Sequence, residues 1–172
     1  MRRSVGLWLS SLLLAACAAA PTTPSAPSFE AVAERVVSGD TLIIRTPEGP
    51  LELRLADIGA PQANEFHAPA SRTLLVSMVE GRTVTVTLTG REGASRAFGY
   101  VVIGRLNVNL ELVRRAAAWV CWEYALSTDY MPFENRVRRL GEGVWISMTE
   151  LEARLACRAR PPGTEPVGGA PR

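Results

Sequence analysis

Three runs of branched apolar residues stand almost end to end near the start of the folding region: AVAERVV (31–37), TLIIRT (41–46) and PLELRLADI (50–58), parted only by Ser38-Gly39-Asp40 and Pro47-Glu48-Gly49. Runs this short, partly of period two and split by turn residues, predict three strands in a meander. The next stretch, APASRTLLVSMVEG, brings Leu74, Leu75, Met78 and Val79 to one face at helical spacing, with Gly81 as a stop, and predicts an amphipathic helix. TVTVTLT (83–89) alternates cleanly and FGYVVI (98–103) has strand length, so two more strands follow. Asn109 is placed to cap a short helix through Arg115, and Pro132 to Gly141 reads as another with Phe133, Val137 and Leu140 inward. Thr149 and Glu152 form a capping box that opens a last helix. The whole predicts a mainly β chain with helices: a small, partly open barrel of five strands with helices packed at its side.

The ends of the chain read differently. Residues 1–17, MRRSVGLWLSSLLLAAC, have a charged start, an apolar centre and small residues before a cysteine, the pattern of a signal peptide. Its apolar run is too short to cross about 30 Å of hydrocarbon as a permanent helix. Leu14-Ala15-Ala16-Cys17 resembles the lipobox of bacterial lipoproteins, which implies acylation of Cys17 and attachment to a membrane of the cell envelope. An ordinary signal peptide cut near Ala20 is the competing reading. Ala18, not an acidic residue, follows the cysteine, which by the sorting habit of such lipoproteins favours the outer membrane over the inner one. Residues 18–28 are rich in Pro, Ser, Thr and Ala and read as a tether, and residues 158–172 are equally poor in core formers and read as a disordered tail. One domain, 29–157, remains, with no internal repeat.

Charge argues against a generally basic nucleic-acid binder. All 19 basic residues are arginine, and removal of Arg2 and Arg3 with the signal leaves 17 against 17 acidic ones. Of the three cysteines, Cys121 and Cys157 remain once Cys17 is lipidated. They can pair in an oxidising compartment or stand as two buried thiols, and spacing alone does not choose.

Five segments taken in order, VVSGDTLII, LRLADIGAPQ, the separation to Arg96, VNLELVRRAAAWVCWEY and ENRVRRLGEGVW, resemble the staphylococcal-nuclease (thermonuclease) domain from about Val36 to Trp145. The resemblance implies a five-stranded OB-fold barrel with flanking helices and calcium-dependent cleavage of DNA and RNA phosphodiesters. On that pattern Asp40 matches a calcium ligand, although a Gly-Asp turn residue reads the same. Ala60 falls within the metal-binding segment. Arg54 matches an arginine whose planar fork grips two phosphate oxygens. Arg96 matches a second such arginine by its separation from Asn109, with an exposed loop arginine as the alternative. Trp122 and Tyr124 fall where the family places two tyrosines beside the nucleotide, though aromatic residues in an apolar stretch also serve as core.

The departure lies at Ile58-Gly59-Ala60-Pro61-Gln62, where the family pattern is Ile-Asp-Ala-Pro-Glu. Gly59 replaces a metal ligand and Gln62 replaces the glutamate that activates water. Calcium takes about 6 to 8 oxygen ligands, and a neutral amide accepts no proton near neutral pH. Asp57, on the face of Gly59 if the strand stays regular, and Glu65 and His67, in the loop beyond, are the residues placed to compensate. Two functions follow from the resemblance: a calcium-dependent surface nuclease, or a degenerate relative that binds nucleic acid or another polyanion with weak or no cleavage and little or no calcium. Changing Gly59 to Asp and Gln62 to Glu together is expected to restore the family pattern.

Overall fold

The structure, a computed structural model, describes residues 28–159. The signal segment with Cys17, the tether up to Pro27 and the tail from Arg160 lie outside the described residues.

The chain runs β1 (Ser28–Val36), β2 (Thr41–Thr46), β3 (Gly49–Leu55), β4 (Ile58–Gly59), α1 (Ala68–Val79), β5 (Thr83–Glu92), β6 (Arg96–Ile103), β7 (Leu106–Asn107), α2 (Val108–Arg114), β8 (Trp119–Val120), α3 (Met131–Leu140), a 3-10 turn (Gly143–Ile146) and α4 (Glu150–Ala159). The long strands pair in the order β3-β2-β1-β5-β6, and a parallel pairing of β3 with β6 closes them into a five-stranded mixed barrel. Alternation does the sorting: Leu42, Ile44, Leu53, Val84 and Val86 point inward and are fully buried. Leu75 and Val79 of α1 and Leu112 of α2 join the same core. A second, smaller core around Trp119, Val137, Val144 and Trp145 sits under α3 and α4. Cys121 and Cys157 form a disulfide there, Cα to Cα 5.5 Å, which ties α4 to the strand region.

Four local expectations change. β3 ends at Leu55, not at Ile58, because the chain turns through Asp57 in a left-handed conformation, φ 67°. Aspartate tolerates that region better than most residues, and the turn removes the regular alternation that would set Asp57 beside Gly59. The cap of α2 is Asn107, whose side chain accepts from Leu110 N. Asn109 is instead buried inside the helix, taking Val101 N at 3.1 Å and donating to Ala56 O at 3.0 Å, so it stitches β6 to the end of β3. On α3 the inward face holds Glu134 and Val137, while Leu140 is 60% exposed. Finally, Arg96 opens β6 and does not lie in a loop.

Candidate active site at the barrel mouth

The Ser38-Gly39-Asp40 turn between β1 and β2 is pressed against α1 so closely that a Cβ on Gly39 would stand 2.7 Å from Ser71 Cβ and 2.8 Å from Ala60 Cβ. Glycine there brings Asp40 fully inside. The Asp40 carboxylate accepts from Ser38 Oγ at 2.7 Å, Thr41 Oγ1 at 3.0 Å and Ala60 N at 3.1 Å. Arg54, from β3, sets its Nε 3.8 Å from Asp40 Oδ2, with only 12% of its side chain exposed. A buried arginine beside a buried carboxylate offsets its charge internally.

Beside this pair lies a cavity of about 160 Å³ whose walls include Arg54, Asp57, Phe98, Tyr124 and Leu126. Arg54 supplies a cation and Tyr124 and Phe98 supply aromatic surface, which suits a phosphate joined to a planar base. Trp122 does not line the cavity; its Nε1 donates to Glu134 Oε2 at 2.5 Å, and the same carboxylate takes Val120 N at 2.7 Å. Burial pushes the Glu134 pKa up, against these two hydrogen bonds. Arg96 is also apart. The parallel register places it opposite Glu52 while Phe98 stands opposite Arg54, and its guanidinium bonds Glu52 at 2.8 Å and Glu92 at 3.1 Å. Glu92, then Glu52, raise its pKa further.

The loop past the barrel mouth is turned upon itself. Gln62 Nε2 donates to Ala60 O at 2.9 Å, and Gln62 N donates to Glu65 Oε2 at 2.7 Å. His67 faces a separate cleft shared with Phe66, Met148 and Glu152. Asp57 lines the main cavity, but its carboxylate accepts from Tyr100 Oη at 2.7 Å and Leu126 N at 3.1 Å. Burial, and then the bond to Asp57, push the Tyr100 pKa up. Sequence reasoning did not find Phe98, Glu134 or Trp119. Trp119 pairs across to Gly59 from a strand 60 residues on, a neighbour that no local pattern reveals.

A closed five-stranded barrel with flanking helices and an Asp–Arg pair at its mouth has the architecture of the OB-fold nucleases. Residues 52–147 match the family model described as staphylococcal nuclease homologue, and the chain belongs to that family. It is similar to an uncharacterized endonuclease of Escherichia coli O157:H7, 33% identical over 112 residues that cover 64% of this chain and 73% of the relative. A second uncharacterized endonuclease, of Haemophilus influenzae, is 28% identical over 119 residues, 69% of this chain and 67% of the relative. A micrococcal nuclease of Shigella flexneri is 26% identical over 135 residues, 72% of this chain and 78% of the relative.

The family is in general calcium-dependent, but the residues present here do not fit the ion. Among the described residues no group of three or more His, Cys, Asp or Glu side chains is placed to hold a metal. Asp40 is engaged by three donors and faces Arg54, position 59 carries no side chain, and Ala60 O is taken by the Gln62 amide. Calcium requires several charged oxygens converging on one point.

Proposed function

We propose that this thermonuclease-like protein is a degenerate member of its family, lipid-anchored through Cys17 in the bacterial cell envelope, more at the outer than the inner membrane. Its barrel mouth holds nucleic acid or another polyanion by a phosphate and hydrolyses it weakly or not at all. Arg54 carries the phosphate through its fork of donors, and Tyr124 offers a face to a base. Loss of a general base alone costs about 10²- to 10⁴-fold in rate.

The observation that supports this reading most is the engagement of Asp40: its carboxylate is wrapped by Ser38, Thr41 and Ala60 and matched by Arg54, and among the described residues no group of three or more His, Cys, Asp or Glu side chains is placed to hold a metal. The test uses the mature protein with single-stranded DNA, with calcium and with chelator. Binding should persist in chelator, and cleavage should stay at background in both. Robust calcium-dependent cleavage overturns the proposal in favour of an active surface nuclease, with Asp57, Glu65 or His67 as the substitute groups to examine.

A further inference from the structure

We infer that Trp119 bars the metal from the barrel mouth: its indole, fixed by the disulfide beside it, fills the space that any metal-binding side chain at position 59 requires. The inference rests on the reading of the mouth as a phosphate site without calcium, and it assigns that state to a filled volume and not merely to a missing carboxylate.

Gly59 of β4 lies directly opposite Trp119 of β8 in an antiparallel pair. A Cβ at position 59 would stand 2.7 Å from Trp119 Nε1, 2.9 Å from Cε2 and 3.2 Å from Cζ2. Contacts under 3 Å force something to move, and what they meet is a rigid ring, not the end of a flexible chain. The ring has little room to yield. Trp119 is 1% exposed, and its Nε1 donates to Cys157 Sγ at 3.3 Å, an atom bonded in turn to Cys121. Its neighbours in the strand are held as well: Val120 N by Glu134, and Cys121 N by Asp57 O at 2.8 Å. Val137, Val144 and Trp145 pack in the same cluster. Restoring aspartate at position 59 therefore does not recreate a metal site, contrary to what the sequence pattern alone suggests. It drives a carboxylate into an indole and a desolvated corner.

The test compares four versions of the mature, disulfide-bonded chain: wild type, Gly59→Asp, Trp119→Val and the combined variant. Each is followed by thermal unfolding with and without calcium chloride. Gly59→Asp should lower Tm by more than about 5 °C and show no calcium-dependent rise. Trp119→Val should also lower Tm, through lost packing. The combined variant should lose several degrees less than the sum of the two losses, since each change relieves the other, and it alone should gain Tm on adding calcium. A Gly59→Asp variant with wild-type Tm, or with a calcium-dependent rise of its own, overturns the inference. So does a combined variant that is merely additive or that takes no calcium. Failure of the underlying functional reading is separate, because it is read from calcium-dependent cleavage by the unmutated chain.

Discussion

Tyr100 Oη donates a 2.7 Å hydrogen bond to Asp57 Oδ2, joining the middle of β6 to the left-handed turn that ends β3. The Asp57 carboxylate is almost wholly buried and takes Leu126 N on its other oxygen. One side chain thus fixes the turn, the strand beside it and the loop before α3. All three border the cavity that contains Arg54.

Tyr100→Phe removes one donor and leaves a buried carboxylate short of it. Such a loss costs about 1 to 3 kcal/mol. Urea unfolding should show a drop in that range with an unchanged m-value. A variant as stable as wild type would mean that water replaces the hydroxyl and that the bond adds nothing to the fold.

Arg96 is matched to two carboxylates, Glu52 and Glu92, instead of a ligand. Replacing both by glutamine should release its guanidinium toward the diagonal neighbour Arg54. Affinity for a 5′-phosphorylated oligonucleotide should then rise by about 3- to 10-fold at low ionic strength and lose the gain in high salt. Titration by fluorescence anisotropy decides it: unchanged affinity excludes Arg96 from the phosphate site. Arg54→Lys in the same assay should weaken binding about 10-fold, since a point charge cannot reproduce the fork.

Glu111 shows a pH effect of definite sign. Hydrogen bonds from Arg114, and more weakly from Arg115, outweigh burial and lower its pKa from 4.5 to about 2. A depressed carboxylate pKa stabilises the fold above the unfolded value and loses that contribution as pH falls through the folded one. Wild type should therefore lose stability from about pH 4.5 down to about pH 2 more steeply than Glu111→Gln, which should be the less stable of the two at pH 7. Parallel curves for the two proteins across that window would remove Glu111 as a source of acid sensitivity.

Cys17→Ala tests the proposed lipid anchor. It should abolish incorporation of labelled fatty acid and either release the protein from membranes or leave an unprocessed precursor. A variant that is cleaved and still sediments with membranes contradicts acylation at this position.

The barrel was legible because its information is local. Turn triplets separate runs such as TLIIRT, and TVTVTLT alternates without a break, so the five long strands could be read along the chain before any contact was known, while the two-residue strands β4, β7 and β8 could not. The place of Arg54 on β3 was legible too, since it sits in a pattern a few residues long. The rest depended on residues distant in sequence. Asn109 appeared to be a helix cap, whereas its amide serves Ala56 and Val101 across the barrel wall. Glu134 has the look of a solvated helix residue until Val120 and Trp122 come to it from another element. Gly59 appeared as an isolated loss, and only the pairing of β4 with β8 couples it to Trp119.

The bridge between Cys121 and Cys157 spans 36 positions, and its second partner stands on α4, the last described element. All five barrel strands lie on the N-terminal side of Cys121. A chain that emerges N-terminus first can therefore complete its barrel while Cys121 is still a thiol and Cys157 has not yet arrived. Until it arrives, Trp119 lacks the sulfur that receives its N–H, and the second core is unfinished.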